Sequence, residues 1–231
     1  MIDLNKHKSY MVNILRDIYS DLELANYLGF KGGTALLLFY GLSRFSVDLD
    51  FNLLKAEKEN YVYQKLHDIL LKYGKIDDEA SKFFGPVLVL NYGSGERNLK
   101  LEISNRQDDS RYEVKPFMGI NMLVMTAADM FANKLCALLS RKELVNRDIF
   151  DCWFFMENRM PFNRNLLESK VKMPFADYMQ ECINMLNNLP DKGLLNGIGD
   201  LLDNKMKTFV RNKLRSDTIF LFNLYKTFPI E

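Results

Sequence analysis

The sequence predicts an α+β protein, with an amino-terminal mixed sheet flanked by helices and a mostly helical carboxy-terminal part. Three patterns carry this. Between Phe45 and Leu53 apolar and polar residues alternate strictly, the period of a half-buried strand. Two further β-like runs, Val87 to Tyr92 and Leu99 to Ser104, are joined by Gly93-Ser94-Gly95-Glu96, which suits a hairpin. From Thr126 onward the period becomes helical and stays so. The boundary falls near 122, giving parts 1–122 and 123–231. With no internal repeat, low-complexity tract or long linker, the two parts are expected to pack closely around a shared cleft.

Each element has its own reason. Met11, Ile14, Leu15, Ile18 and Leu22 recur at helical spacing, predicting a helix over 8–28 with Gly29 as its stop. The apolar run Gly33 to Tyr40, closed by Gly41, predicts a short buried helix entered through a glycine turn. The strand at 45–53 puts Phe45, Val47, Leu49, Phe51 and Leu53 on one face and Ser46, Asp48, Asp50 and Asn52 on the other. A helix at about 57–73 precedes the hairpin. Thr126 and Asp129 stand as N-cap and N3 of a helix reaching about Arg141. Further helices are expected at roughly 147–157, 164–172, 175–188 and 191–215.

Composition limits the chemistry. At 231 residues and 48% apolar content, the chain can build a core without staples. Cys136, Cys152 and Cys182 are odd in number and widely spaced, the pattern of reduced structural thiols, which points to the cytoplasm. Charged residues in the first twenty positions and the lack of a long apolar run argue against export or a membrane span. A net charge of +1 gives no whole-molecule attraction to a polyanion, so any such surface must be local. With only His7 and His67, far apart, and no close cysteine pair, a zinc site is not expected, and a hard, oxygen-ligated cation stays open.

Asp48 and Asp50, at i and i+2 on a strand, point to one side a few ångströms apart. Unpaired they would repel and raise one pKa, so they call for a cation, and Mg²⁺ (or Mn²⁺) shared with substrate phosphates fits them. The plainer alternative is two ordinary acids on a solvent-facing strand. The upstream Gly32-Gly33-Thr34 favours the site: the glycines allow close backbone approach, and the helix start offers N–H groups and a positive dipole end to phosphate. Glu102, with Lys100 and Ser104 on one face of the second hairpin strand, is a candidate third metal ligand or general base; the alternative is an exposed residue paired with Lys100.

In the helical half Asp129, Lys134, Arg147, Asp148 and Asp151 stand out. Lys134, alone in an apolar helix, could neutralise charge on a leaving pyrophosphate, or could snorkel. Arg147 and Asp151, four apart, read as a surface pair, with Asp148 the better candidate for a site role.

These blocks, taken in order, resemble the AbiEii/AbiGii family of nucleotidyltransferase toxins within the DNA polymerase β-like superfamily. The resemblance runs from about Lys31 to Asp151. It rests on Lys31-Gly32-Gly33-Thr34-Ala35-Leu36, Arg44-x-Ser46-x-Asp48-x-Asp50-Phe51, Lys100-Leu101-Glu102-Ile103, and Lys134-Leu135-Cys136-Ala137-Leu138 with Arg141 and Arg147-Asp148-x-x-Asp151. It implies metal aspartates at Asp48 and Asp50, a nucleotide-binding set of Gly32, Gly33, Thr34, Arg44 and Ser46, and later catalytic motifs at Lys134 and Asp148. Glu102 departs from the pattern, which would place an aspartate a few residues after the lysine matched by Lys100. Members of this kind are implied to serve toxin–antitoxin or phage-abortive-infection systems, moving a nucleotide onto a target such as tRNA under restraint by a separately encoded antitoxin.

The acid-free run Lys205-x-Lys207-x-x-x-Arg211-x-Lys213-x-Arg215 could hold RNA phosphates or form a solvated helix face. The leading expectation is metal-dependent transfer of a nucleoside monophosphate from an NTP to an acceptor. Its rivals are a catalytically silent nucleotide-binding or interaction module and an antibiotic-type small-molecule nucleotidyltransferase.

Overall fold

The protein is described here by a computed structural model covering residues 3–107, 109–190 and 192–230. Helix α1 (Leu4–Ser20) begins where the Asp3 carboxylate accepts from the N–H groups of Asn5 and Lys6, both at 3.0 Å. It buries Met11, Ile14, Leu15 and Ile18, four of the five residues that predicted it, whereas Leu22 falls in the next helix and is exposed. The expected single helix over 8–28 is instead broken at Asp21. Asp21 leaves helical geometry and caps α2 (Leu22–Tyr27) by accepting from the N–H groups of Glu23 and Leu24. Gly29 does not stop a helix either; it lies inside β1 (Leu28–Lys31), buried where any Cβ would collide with the Tyr112 ring.

The chain continues through α3 (Gly32–Tyr40), β2 (Asp48–Leu53), α4 (Glu59–Leu71), β3 (Lys75–Lys82), β4 (Gly85–Asn91), β5 (Leu99–Ser104), β6 (Tyr112–Phe117) and β7 (Ile120–Met125). The seven strands form one mixed sheet in the order β3-β4-β5-β2-β1-β7-β6. β2 runs parallel to β5, and β1 parallel to β7; the other neighbours are antiparallel. The expected hairpin is β4–β5, with Leu90 opposite Leu99 and Val87 opposite Glu102. β2 is shorter than the alternation, because the chain pairs only from Asp48; Val47 is nevertheless fully buried. β1, β3, β6 and β7 lay outside the sequence pattern. β3 and β6 are edge strands, and the charged sequence of β3, Lys75-Ile76-Asp77-Asp78-Glu79, suits an edge that must not pair further.

By contacts the chain forms two compact units. The first is Met1–Tyr40 with Phe45–Met125, and the second is Gly41–Arg44 with Thr126–Glu231. In the first, Phe30 on β1 meets Phe51 on β2 with ring centroids 5.3 Å apart, among buried Ile14, Ile18, Leu49, Leu101 and Val124.

The second unit holds α5 (Ala127–Ser140), α6 (Asn146–Glu157), α7 (Arg164–Val171), α8 (Phe175–Asn187), α9 (Asn204–Asn212) and α10 (Leu214–Thr227). Thr126 caps α5 as the sequence predicts, its hydroxyl accepting from the Asp129 N–H. Phe131 of α5 stacks on Phe155 of α6 at 4.7 Å and 2°. The expected helix over 191–215 does not form. Gly193 and Gly197 take φ values of 100° and 71°, which a helix cannot accommodate, and only a 3₁₀ turn at Gly199–Leu201 precedes α9. Asp203 restarts the helix by accepting from the Met206 N–H at 2.7 Å. α10, unforeseen, buries Leu214, Leu221, Phe222 and Tyr225. Among the described residues no helix is long and apolar enough to cross a membrane.

Candidate active site

In the first unit, register gathers the charged side chains. Asp48 lies opposite Lys100 and Asp50 opposite Glu102 across β2–β5, while Lys31 lies opposite Asp50 across β1–β2. Residues in register share a face, so three acids and two lysines crowd together there. Asp50 bears the cost. Burial raises its pKa, the Asp48 and then the Glu102 charges raise it further, and Lys31 and Lys100 offset this only in part. Lys100 Nζ lies 3.0 Å from Glu102 Oε2. Burial pulls the lysine's pKa down, but the hydrogen bond and charge of Glu102, then Asp48 and Asp50, outweigh it and hold the lysine above its usual value. Glu102 thus both registers with Asp50 and makes the Lys100 pair that the plainer reading anticipated.

The glycine turn is fitted to this acid. Gly32 opens α3 with φ 78°, and a Cβ there would collide with the Asp50 carboxylate. Gly33 is buried, and so is Ser46. Thr34 is fully buried and its hydroxyl donates to the Asp48 carbonyl, so its side chain is spent within the fold and only the backbone of this turn is left to meet a phosphate.

The donor set can be tested against a cation. The acids are hard oxygen donors at a place where negative charge is in excess, and a phosphate approaching the start of α3 beside Asp50 would be repelled without a cation between them. Among the described residues no three His, Cys, Asp or Glu side chains gather as a ready-made cage. The fit is therefore that of two carboxylates sharing a Mg²⁺-type ion with substrate oxygens and water.

The second unit contains an ionic chain that runs from a buried Arg44–Asp151 pair to a half-exposed Arg141. Arg44 Nε and Nη2 each lie 2.7 Å from an Asp151 oxygen, the two side chains being 2% and 0% exposed. Lys134 Nζ lies 2.7 Å from Asp151 Oδ2 and 3.0 Å from Asp148 Oδ1, and Arg141 Nε lies 2.8 Å from Asp148 Oδ2. Burial would raise the Asp151 pKa, but the Arg44 and Lys134 charges overcome it and hold the carboxyl below its usual value. At Lys134, burial lowers the pKa and the Asp151 and Asp148 charges more than restore it. The surface pairing expected of Asp151 with Arg147 is overturned: Asp151 is among the most buried residues, and Arg44 and Lys134 take both its oxygens. Lys134 does not snorkel either. No sequence period could have joined Arg44 to Asp151, which lie 107 residues apart. Asp129 is buried and accepts from Asn163 Nδ2 at 2.8 Å, inside the packing of its helix.

In the basic run, Lys205, Arg211 and Lys213 are exposed and Lys207 half-buried, whereas Arg215 donates to the Leu189 carbonyl. Val210 is buried and the Phe209 ring packs on Trp153 at 4.5 Å, so α9 is seated by its apolar side with an acid-free polar side outward.

A mixed sheet in which a glycine-opened helix backs a strand bearing Asp-x-Asp defines a nucleotidyltransferase. The chain belongs to the nucleotidyl transferase AbiEii toxin family of type IV toxin–antitoxin systems, whose model matches residues 13–217. It is thus a toxin nucleotidyltransferase, and the family implies an antitoxin as its counterpart. No curated protein matches it. The fold is similar to that of JHP933 from Helicobacter pylori, at 22% identity and a TM-score of 0.63, covering 98% of this chain and 93% of that one. It is also similar to MenT4, a nucleotidyltransferase toxin from Mycobacterium tuberculosis H37Rv, at 18% identity and a TM-score of 0.53, covering 85% and 75%.

Proposed function

We propose that the protein moves a nucleoside monophosphate from an NTP onto tRNA, in a reaction dependent on a divalent cation held by Asp48 and Asp50. The observation that carries the reading is the Asp50 carboxylate, half-buried among like charges and seated against the turn at Gly32. When bound, Mg²⁺ (or Mn²⁺) supplies charge neutralisation for the triphosphate and polarises the α-phosphoryl oxygen. The backbone of Gly32 and Gly33 at the start of α3 receives phosphate oxygens, close approach being possible because neither residue carries a Cβ. Glu102 accepts the proton of the attacking hydroxyl; the new bond joins that oxygen to the α-phosphorus as the bond to the leaving pyrophosphate breaks. Lys100 orients Glu102 through their 3.0 Å pair.

Arg44, Lys134 and Asp148 take positioning parts in the second unit, where Arg44 and Lys134 bind Asp151 and Lys134 also binds Asp148. Three cations, Arg44, Lys134 and Arg141, face two carboxylates in that chain, and the excess positive charge suits the pyrophosphate role that the resemblance implies for Lys134. Lys205, Lys207, Arg211 and Lys213 provide phosphate contacts for the RNA. The setting is cytoplasmic, in a toxin–antitoxin or phage-defence system.

The test incubates the protein and its Asp48→Ala variant with Mg²⁺, each of the four α-³²P-labelled NTPs and total bacterial RNA, followed by a denaturing gel. Label on a tRNA-sized band, absent in the folded variant, is the expected result. Label only on a low-molecular-weight acceptor would make the protein an antibiotic-type transferase. Absence of label from every acceptor would make it a silent module.

A further inference from the structure

His7 lies far from Asp48 in sequence, yet it is fully buried on α1 against the entrance of β2. Its Nε2 lies 2.9 Å from the Val47 carbonyl and its Nδ1 lies 2.6 Å from the Tyr92 hydroxyl. A carbonyl can only accept, so in the neutral ring the proton sits on Nε2 and the Tyr92 hydroxyl donates to Nδ1. Tyr92 is itself fixed, stacked on Tyr10 with centroids 4.2 Å apart. From the other direction the Thr34 hydroxyl donates to the carbonyl of Asp48.

The two carbonyls so held belong to the two peptide groups that flank the Asp48 Cα. Orienting both planes fixes the backbone torsions of Asp48, and with them the direction of its Cα–Cβ bond. The need is local. β2 begins only at Asp48, so Asp48 is the terminal residue of its strand, where ladder pairing holds the backbone least. Asp50 pairs on both sides, with Lys31 of β1 and Glu102 of β5, whereas Asp48 pairs on one side alone, with Lys100 of β5.

We propose that His7 and Thr34 are positioning residues which clamp the two peptide groups around Asp48 and so preset its carboxylate for the cation. Groups of this kind act through a ligand and not on the reacting atoms, and their removal typically weakens metal affinity by about 10- to 100-fold. The inference rests on Asp48 being a metal ligand, so its test separates the two ideas.

The variants are His7→Leu and Thr34→Val, each removing one donor, and His7→Gln and Thr34→Ser, each able to restore it. Two quantities are read in the full chain: Mn²⁺ affinity by electron paramagnetic resonance, and amide exchange of a peptide spanning 46–52 by mass spectrometry. Mn²⁺ affinity is expected to fall about tenfold or more in Thr34→Val and His7→Leu, and to recover in their polar counterparts. Exchange across 46–52 is expected to quicken in the same two variants and not elsewhere in the sheet. Should His7→Leu fail to fold, Thr34→Val, which is close to isosteric, decides alone. Wild-type Mn²⁺ affinity together with wild-type exchange in folded Thr34→Val would overturn the clamp. Should the unaltered protein bind no Mn²⁺, or Asp48→Ala bind it equally well, the metal reading fails instead, and the exchange measurement still decides whether the peptide groups are clamped.

Discussion

Replacing Asp151 by Asn changes one oxygen for an amide and keeps the shape, yet it should be among the most damaging substitutions in the second unit. It removes the charge that Arg44 Nε and Nη2 each reach at 2.7 Å, and one of the two carboxylates at Lys134. The Arg44 side chain is 2% exposed and water cannot replace the lost partner. Breaking a buried ion pair from one side costs about 3–5 kcal/mol. With about 2–4 °C of melting temperature per kcal/mol for a chain of this size, the drop should be roughly 6–20 °C. The sole tryptophan, Trp153, stands two residues away on α6, so urea unfolding followed by its emission reports on this unit. The pH dependence has a definite sign. Because the folded pKa of Asp151 is held below the unfolded value of about 3.9, its contribution is fully present above that value and is lost as pH falls towards the folded pKa. The gap between wild type and Asp151→Asn should therefore be full at pH 7 and shrink below about pH 4. A loss under about 1 kcal/mol at pH 7, or a gap constant down to the acid transition, would refute the reasoning.

The opposite sign is expected at Asp50, whose pKa is raised and whose ionised form the fold penalises. Asp50→Asn should abolish transfer yet raise the melting temperature of the metal-free protein at neutral pH, with the gain vanishing below about pH 4; melts in EDTA test it. Gly32→Ala forces a Cβ into the Asp50 carboxylate at φ 78° and should cost about 1–3 kcal/mol by calorimetry, with a fall in transfer. Changing Lys205, Arg211 and Lys213 to Ala should reduce the steepness of log affinity for tRNA against log salt by about 2–3 and leave NTP binding unchanged; fluorescence anisotropy across a salt series reads both.

Much of the candidate site is legible in the sequence because it is local. Asp48 and Asp50 sit in one alternating run, Gly32-Gly33 precedes them by a single short helix, and Glu102 lies in a hairpin announced by its glycine loop. What escaped was distant or short. β1 has four residues, too few for alternation to show, and β3 and β6 are edges whose polar faces resemble loops. Asp151 looked like a surface acid because its i−4 neighbour is Arg147, whereas its partners come from Arg44 and α5. His7 looked only like an imidazole without a zinc partner; its contacts lie 40 and 85 residues away. The glycines at 193 and 197 stand in the sequence, but the positive φ values that they adopt are not written there.

The short segment Gly41–Arg44 also sets a clock on biogenesis. It is synthesised early but belongs to the unit completed last, and Arg44 precedes Asp151 by 107 residues. At ribosomal speeds of about 5–20 residues per second, the arginine waits roughly 5–20 s for its carboxylate. A carboxy-terminal piece beginning at Thr126 would never receive it, so the second unit is a product of the whole chain and not a separable module. A ribosome that stalls before Asp151 therefore leaves a nascent toxin with this ionic chain unbuilt.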